Sequence, residues 1–278
     1  MEQKSSIHYV DIELKDQILE FVKSHFNVDL SDYSESSVRR RLAKLMHIYQ
    51  LKTFSDFESL FLKMDDARNE FLKHFTVNVT EMFRDPQCFK AISTKVFPKL
   101  KKLEQINIWS AGCSTGEEAL SLAILLHEND LLDKAQILAT DISKEAIETA
   151  RNGIYKVRHI NTYLKQYVMA GGKFSLERYF TTVNDTVVFK DFLKEKIDYQ
   201  VNNLITEKVN KGLDLILCRN LLIYFNANLQ NAVLENFYQT LDKERFLVLG
   251  NKESIIFYEG RSRFEEIADE TRIFRKKF

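Results

Sequence analysis

The sequence predicts an α/β protein: a doubly wound parallel sheet with a small antiparallel β excursion, preceded by a small all-helical domain. Three observations predict it. Residues 1–76 place apolar side chains at helical spacing and show no strand pattern. From about residue 105 strand and helix patterns alternate, as parallel pairs joined by right-handed crossovers require. Apolar runs such as "LDLILC" suit strands buried on both faces. The division expected is a helical domain over 1–76, a linker loop and helix over 77–104, and a sheet domain over 105–278. The β excursion is expected around 173–202.

Each element has a local reason. Leu14, Ile18, Phe21, Val22 and His25 recur at helical spacing, as do Val38, Leu42, Leu45 and Tyr49. Ser55 with Glu58 reads as a capping box ahead of Leu60, Phe61 and Met64. Asp85–Pro86 reads as a helix start, an acceptor at the cap and then a proline where no N–H is needed. Phe89, Ile92 and Val96 form the stripe of that helix, which leaves Asn78 to Arg84 as a polar loop. "INIWSA" is a strand, "EEALSLAILLHE" a helix, "AQILATD" a strand and "SKEAIETARN" a helix stopped by Gly153. "NTYLKQYVMAGG" reads as a helix and "YFTTVNDTVVFKDFLKEKIDYQV" as the excursion. "LDLILC", "NLQNAVLENFYQTLD" and "RFLVLG" close the alternation as strand, helix and strand.

The 278 residues are 45% hydrophobic, enough for a real core, and hold 40 basic against 40 acidic side chains. A neutral balance gives no global attraction to nucleic acid or to a membrane. Cys88, Cys113 and Cys218 are scattered, with no CxxC pair or Cys/His cluster, so neither a structural metal nor a disulfide framework is expected. Free thiols suit a reducing compartment. With no apolar run long enough to cross a bilayer, a soluble cytoplasmic protein is expected.

Only eight glycines occur, yet Gly112 and Gly116 lie four apart in "SAGCSTGEEA" at the first strand-to-helix corner. In open α/β sheets ligands bind beyond the carboxyl ends of the strands. A phosphate would sit at the helix N-terminus that follows. Here Glu117 and Glu118 stand at that place and would repel a pyrophosphate, which disfavours NAD and ATP. S-adenosylmethionine (SAM), a sulfonium with an α-amino group and no phosphate, would not be repelled. Asp141 ends the second strand where an acid meets ribose hydroxyls. Asn203 and Leu204 follow the third strand, on the adenine side, and Cys218, Arg219 and Asn220 the fourth. Each feature also has a plain reading: the glutamates complement the helix dipole and Asp141 caps a helix. Their shared position on strand ends of one sheet favours the cofactor.

"NVTEMFR", "WSAGCSTGEEA", "ATDIS", "NNL" and "LCRNLLIYF" occur in the order and spacing of the chemotaxis receptor methyltransferases, and the chain resembles that CheR family over most of its length. The resemblance implies a Rossmann-like SAM-methyltransferase sheet. It also implies methyl transfer from SAM to glutamate side chains on the cytoplasmic helical domain of chemoreceptors, leaving S-adenosylhomocysteine. It implies cofactor contacts from Asn78, Thr80, Arg84, Gly112, Glu118, Asp141, Asn203, Leu204, Arg219 and Asn220. Tyr224 matches a tyrosine facing the methyl-transfer centre. Two departures stand out. Met82 replaces a usual phenylalanine, with similar space filled. The β excursion is short and "TTVNDT" lacks a Gly-rich loop, which argues against docking of a receptor C-terminal pentapeptide.

Arg84 and Tyr224 are the catalytic candidates, as groups that orient a carboxylate. Arg84 could equally hold the cofactor or its loop, and for Tyr224 packing at the sheet edge is the less favoured alternative. Arg39, Arg40, Arg41 and Lys44, in a stretch free of acids, form a candidate docking strip for acidic receptor helices, or simply a solvated face. A nucleic-acid methyltransferase is disfavoured by the neutral charge and by the absence of proline after Arg219–Asn220. A non-catalytic SAM-binding module and a methyltransferase for another carboxylate remain as alternatives.

Overall fold

A computed structural model describes residues 10–76, 80–210, 212–268 and 270–278. The chain forms two compact units. One takes the first 77 residues together with Tyr224–Leu229, and the other takes the remainder.

The first unit holds α1 (Ile12–Phe26), α2 (Glu35–Ile48), α3 (Phe54–Phe61) and α4 (Ala67–Phe75). Asp11 starts α1 by accepting the Leu14 N–H at 2.8 Å, and Asn27, in a left-handed conformation, ends it. The inward faces meet in an aromatic core of Phe21, Phe26, Phe57, Phe61 and Phe71, all buried. Phe57 and Phe61 stack obliquely with centroids 4.5 Å apart. The capping box expected at Ser55 and Glu58 is instead Thr53 with Asp56. Both spacings satisfy the pattern, and the helix starts where Phe57 and Phe61 reach the core. The segment 224–229 belongs here because the Ser34 N–H donates to the Tyr224 carbonyl at 2.8 Å and Tyr33 bridges to Phe225.

The second unit opens with α5 (Pro86–Ala91), which passes through a π-helical turn at Ile92–Val96 into α6 (Phe97–Leu100). Then follow β1 (Ile106–Ala111), α7 (Glu117–Glu128), β2 (Ala135–Asp141), α8 (Lys144–Asn152), β3 (Ile154–Lys156) and α9 (Ile160–Met169). β4 (Phe180–Val183), β5 (Thr186–Phe189), α10 (Asp191–Lys194), β6 (Ile197–Val201) and β7 (Leu213–Cys218) come next. α11 (Ala227–Thr240), which enters this unit at Gln230, β8 (Leu241–Leu249), β9 (Phe264–Ala268) and β10 (Ile273–Lys276) complete it.

Seven strands form the main sheet in the order β6-β2-β1-β7-β8-β10-β9. The first five run parallel; β10 and β9 pair antiparallel. The chain starts at β1 in the middle, builds outward through β2 and β6, then crosses to β7. The order therefore reverses between β1 and β7, where such sheets bind ligands. Every residue of β7 is buried, as its unbroken apolar run requires.

The stretch read as the excursion divides. β4 and β5 join β3 in a separate three-stranded sheet, whereas β6 is the edge of the main sheet, paired to β2 from Ile137↔Ile197 to Asp141↔Val201. The β9–β10 hairpin had no sequence signal, because Glu265, Glu266, Arg275 and Lys276 dilute its apolar alternation. Among the described residues, no helix is long and apolar enough to cross a membrane.

Candidate functional site

The site is built where β1, β2, β6 and β7 end. After Ala111 the chain turns through Gly112 and Gly116, both at positive φ, with Ser114 left-handed between them. The Gly112 and Cys113 N–H groups donate to the Thr140 carbonyl at 2.8 and 2.9 Å, locking the turn to the end of β2. Sequence reasoning gave the glycines to ligand approach. The structure adds a packing cause: a Cβ on Gly116 would lie 2.7 Å from the Ala150 Cβ.

Asp141, at the end of β2, accepts the Ser114 N–H and the Ser143 N–H, each at 2.9 Å. Desolvation pushes its carboxyl above the ordinary range, and these backbone donors oppose the shift. It is not the cap of α8, since Ser143 caps that helix by accepting the Ala146 N–H. Asn203 and Leu204 follow β6, and the Asn203 side chain accepts the Ile205 N–H at 3.1 Å.

Arg219 is the hub. Its side chain is 2% exposed. The guanidinium donates to Glu118 at 3.1 Å, to Asp85 at 2.9 Å and to the Arg84 carbonyl at 2.8 Å, and stands over the Phe89 ring. Glu118 also accepts the Ser110 hydroxyl at 2.9 Å. One cation thus ties the ends of β1 and β7 to the loop ahead of α5. Asp85 was expected to cap α5 with its side chain. It makes no such bond; its carboxylate goes to Arg219, because a buried guanidinium needs an anion more than a helix start needs a cap. Phe83 and Asp85 are both left-handed, at φ 54° and 55°, and bracket Arg84. Strain of that kind persists only where the surroundings impose it. Here the buried Phe83 ring and its N–H, bonded to Ser121 Oγ at 2.8 Å, impose it.

Glu117, beside Glu118, is buried and accepts the Thr115 hydroxyl at 2.7 Å and the Tyr163 hydroxyl at 3.5 Å. Burial pushes its carboxyl up, and the Thr115 donor works against that. The protonated form is therefore favoured by the fold. Wild-type stability from this group is full below the unfolded value of about 4.3 and falls as pH rises through the raised folded value, by about 1.4 kcal/mol per unit within that window. Glu117→Gln, which cannot ionise, should gain on the wild type in urea midpoint as pH rises above about 4.3. An advantage that shrinks with pH would show that burial does not dominate there.

Gly112, Glu118, Asp141, Asn203, Leu204, Arg219 and Asn220 all lie at the carboxyl ends of the parallel strands. Thr80 and Arg84 lie on the loop before α5, and Asn78 falls outside the described residues. Tyr224 belongs to the helical unit, where the Arg41 guanidinium stands 4.1 Å from its ring centre. The docking strip needs a correction: Arg41 is buried over Tyr224 and Phe75, not solvated. Arg39 pairs with Glu35 at 2.8 Å, while Arg40 and Lys44 are exposed. Sequence reasoning missed Asp85, Ser110 and Glu253 as site-forming groups. The acid of Asp85–Pro86 was visible but had a local explanation; Glu253 had no local signal.

The comparisons agree with this geometry. Residues 78–272 match the model of the CheR methyltransferase, SAM binding domain, and residues 15–76 match that of the CheR methyltransferase, all-alpha domain. A Pseudomonas putida chain provisionally named methyltransferase Cher3 is 36% identical, covering 96% of this chain and 97% of its own. The chemotaxis protein methyltransferase of Borreliella burgdorferi is 30% identical, covering 86% and 87%. That of Listeria monocytogenes is 30% identical over 84% and 87%. Matches along nearly the whole chain lead to one conclusion: the protein belongs to the CheR family of methyltransferases, with S-adenosylmethionine as its cofactor.

Proposed function

We propose that this protein methylates glutamate side-chain carboxylates on the cytoplasmic helical domain of chemoreceptors. The observation that carries the reading is the Arg219 hub, which holds Glu118 at the first βα corner while fixing the loop that bears Arg84. The relatives named as chemotaxis methyltransferases support the choice of substrate.

The residues present fit the cofactor. Carboxylates at Glu118 and Asp141 suit an ammonium and ribose hydroxyls, and Ser114 Oγ, at the turn between them, is buried with no hydrogen-bond partner among the described residues. Thr80, Gly112, Asn203, Leu204, Asn220 and, outside the described residues, Asn78 complete the proposed set. Bound SAM supplies an electrophilic methyl on a positively charged sulfur.

The protein's own work is then alignment. A glutamate is ionised near pH 7, with an ordinary pKa of about 4.3, so its oxygen needs no general base. Holding the carboxylate in line and dry can supply roughly 7–11 kcal/mol. Arg84 is proposed to orient that carboxylate and Tyr224 to donate a hydrogen bond to it. Both contacts must be modest, since a tight bidentate clamp would quench the nucleophile. Exposed Arg40 and Lys44, with Arg39, are proposed to steer acidic helices, an effect that fades with salt. Arg41 is left out of the strip because it is buried.

The test is calorimetric titration with S-adenosylhomocysteine followed by transfer of radiolabelled methyl to chemoreceptor-rich membranes. Base-labile label on the receptor is expected, as a methyl ester requires. Arg84→Ala should lower turnover by about two orders of magnitude, in keeping with loss of one orienting group, with far less change in affinity. Undiminished transfer would refute the role of Arg84; binding without transfer by the wild type would leave a SAM-binding module.

A further inference from the structure

We propose that Glu253 is a positioning residue that holds the segment Asn220–Leu222, and through it Arg219, in the shape the cofactor site uses. The proposal rests on the reading of Arg219 and Asn220 as cofactor-side residues and adds a residue outside that set.

Glu253 follows β8 and is 4% exposed. β8 is the parallel neighbour of β7, with Cys218 opposite Leu249, so the two strand ends emerge side by side. The Glu253 carboxylate crosses from one loop to the other. Its Oε2 accepts the Asn220 N–H at 2.9 Å and the Gly250 N–H at 2.6 Å, and its Oε1 accepts the Leu222 N–H at 2.7 Å. Three backbone donors of two loops thus converge on one side chain.

The loop needs such an outside acceptor. Asn220 is left-handed at φ 61°, a conformation uncommon outside glycine that asparagine tolerates best and that turns the chain sharply after Arg219. Buried backbone N–H groups must be paired, and no strand or helix ladder pairs those of Asn220 and Leu222. The approach is close: a Cβ on Gly250 would lie 2.8 Å from the Asn220 nitrogen and 2.8 Å from the Glu253 oxygen. Immediately before Asn220 stands Arg219, whose guanidinium reaches Glu118 and Asp85. A glutamine in place of Glu253 has one acceptor oxygen where two are used, so its amide nitrogen would oppose a backbone donor. Loosening the carboxylate would free Asn220 and shift the root of Arg219.

The experiment compares the full-length wild type and Glu253→Gln by titration with S-adenosylhomocysteine, together with amide hydrogen exchange. Leaving a buried donor unsatisfied should weaken adenosylhomocysteine binding by roughly tenfold and speed exchange at Asn220 and Leu222. Exchange in β1 should stay unchanged, and Glu253→Asp, which keeps both oxygens, should recover part of the affinity. A loss of about fivefold or more in a folded variant supports the proposal. A smaller loss overturns it, even if the melting temperature falls, because the carboxylate would then be only a structural bond. If Glu253→Gln does not fold, Glu253→Asp is read instead: faster exchange at Asn220 and Leu222 with measurably weaker adenosylhomocysteine binding supports the proposal, and wild-type affinity overturns it. A wild type that binds no adenosylhomocysteine overturns the cofactor-side reading, and this proposal with it, and is recognised before any variant is made.

Discussion

Arg219→Ala should destabilise the sheet unit by about 3–5 kcal/mol, the range seen when one partner of a buried ion pair is removed. The guanidinium is enclosed by Glu118, Asp85, the Arg84 carbonyl and the Phe89 ring. Its loss leaves two carboxylates facing each other with no cation between them. The change is read by urea unfolding followed through Trp109, the single tryptophan, which lies buried in β1. The variant should also lose adenosylhomocysteine binding, since Glu118 would no longer be held. A loss below about 1 kcal/mol would mean that the pair contributes no more than a surface salt bridge.

Gly116→Ala is expected to be nearly as severe. At φ 91° an L side chain is strained, at a cost of roughly 1–2 kcal/mol. The new methyl would meet the Ala150 Cβ at 2.7 Å and the Tyr199 hydroxyl at 3.0 Å. The tyrosine oxygen can move, whereas Ala150 is fixed on α8. Overpacking adds roughly 1–3 kcal/mol, so a total of about 3 kcal/mol is expected, with the turn displaced from β2. A melting temperature equal to wild type would show that α8 gives way freely.

Most of the candidate site lay open in the sequence because its residues occupy strand ends, which one-dimensional patterns locate well. "INIWSA", "AQILATD" and "LDLILC" mark β1, β2 and β7, and the residues that follow them are the ones that converge. Where local logic admitted two answers, the structure took the one with tertiary support. Ser55 with Glu58 and Thr53 with Asp56 both fit a capping box, and burial of Phe57 and Phe61 chose the second. Asp85 could cap α5 or neutralise Arg219, which lies more than a hundred residues along the chain, and the buried cation won. Arg41 looked like one more surface charge, yet the helical face that carries it is covered by Phe75 and Tyr224.

Periodicity and turn chemistry were enough to give the class of fold, and the motifs at the strand ends carried the resemblance to the family. These are properties of neighbouring residues, and neighbours in sequence share one helix face or one side of a strand. Only the folded chain could decide that Asp85, Glu118 and Arg219 form one charged cluster, that β6 closes the sheet edge, and that Glu253 braces the loop after β7. Each joins residues remote in sequence, and a buried charge accepts whichever partner the packing brings within about 3 Å.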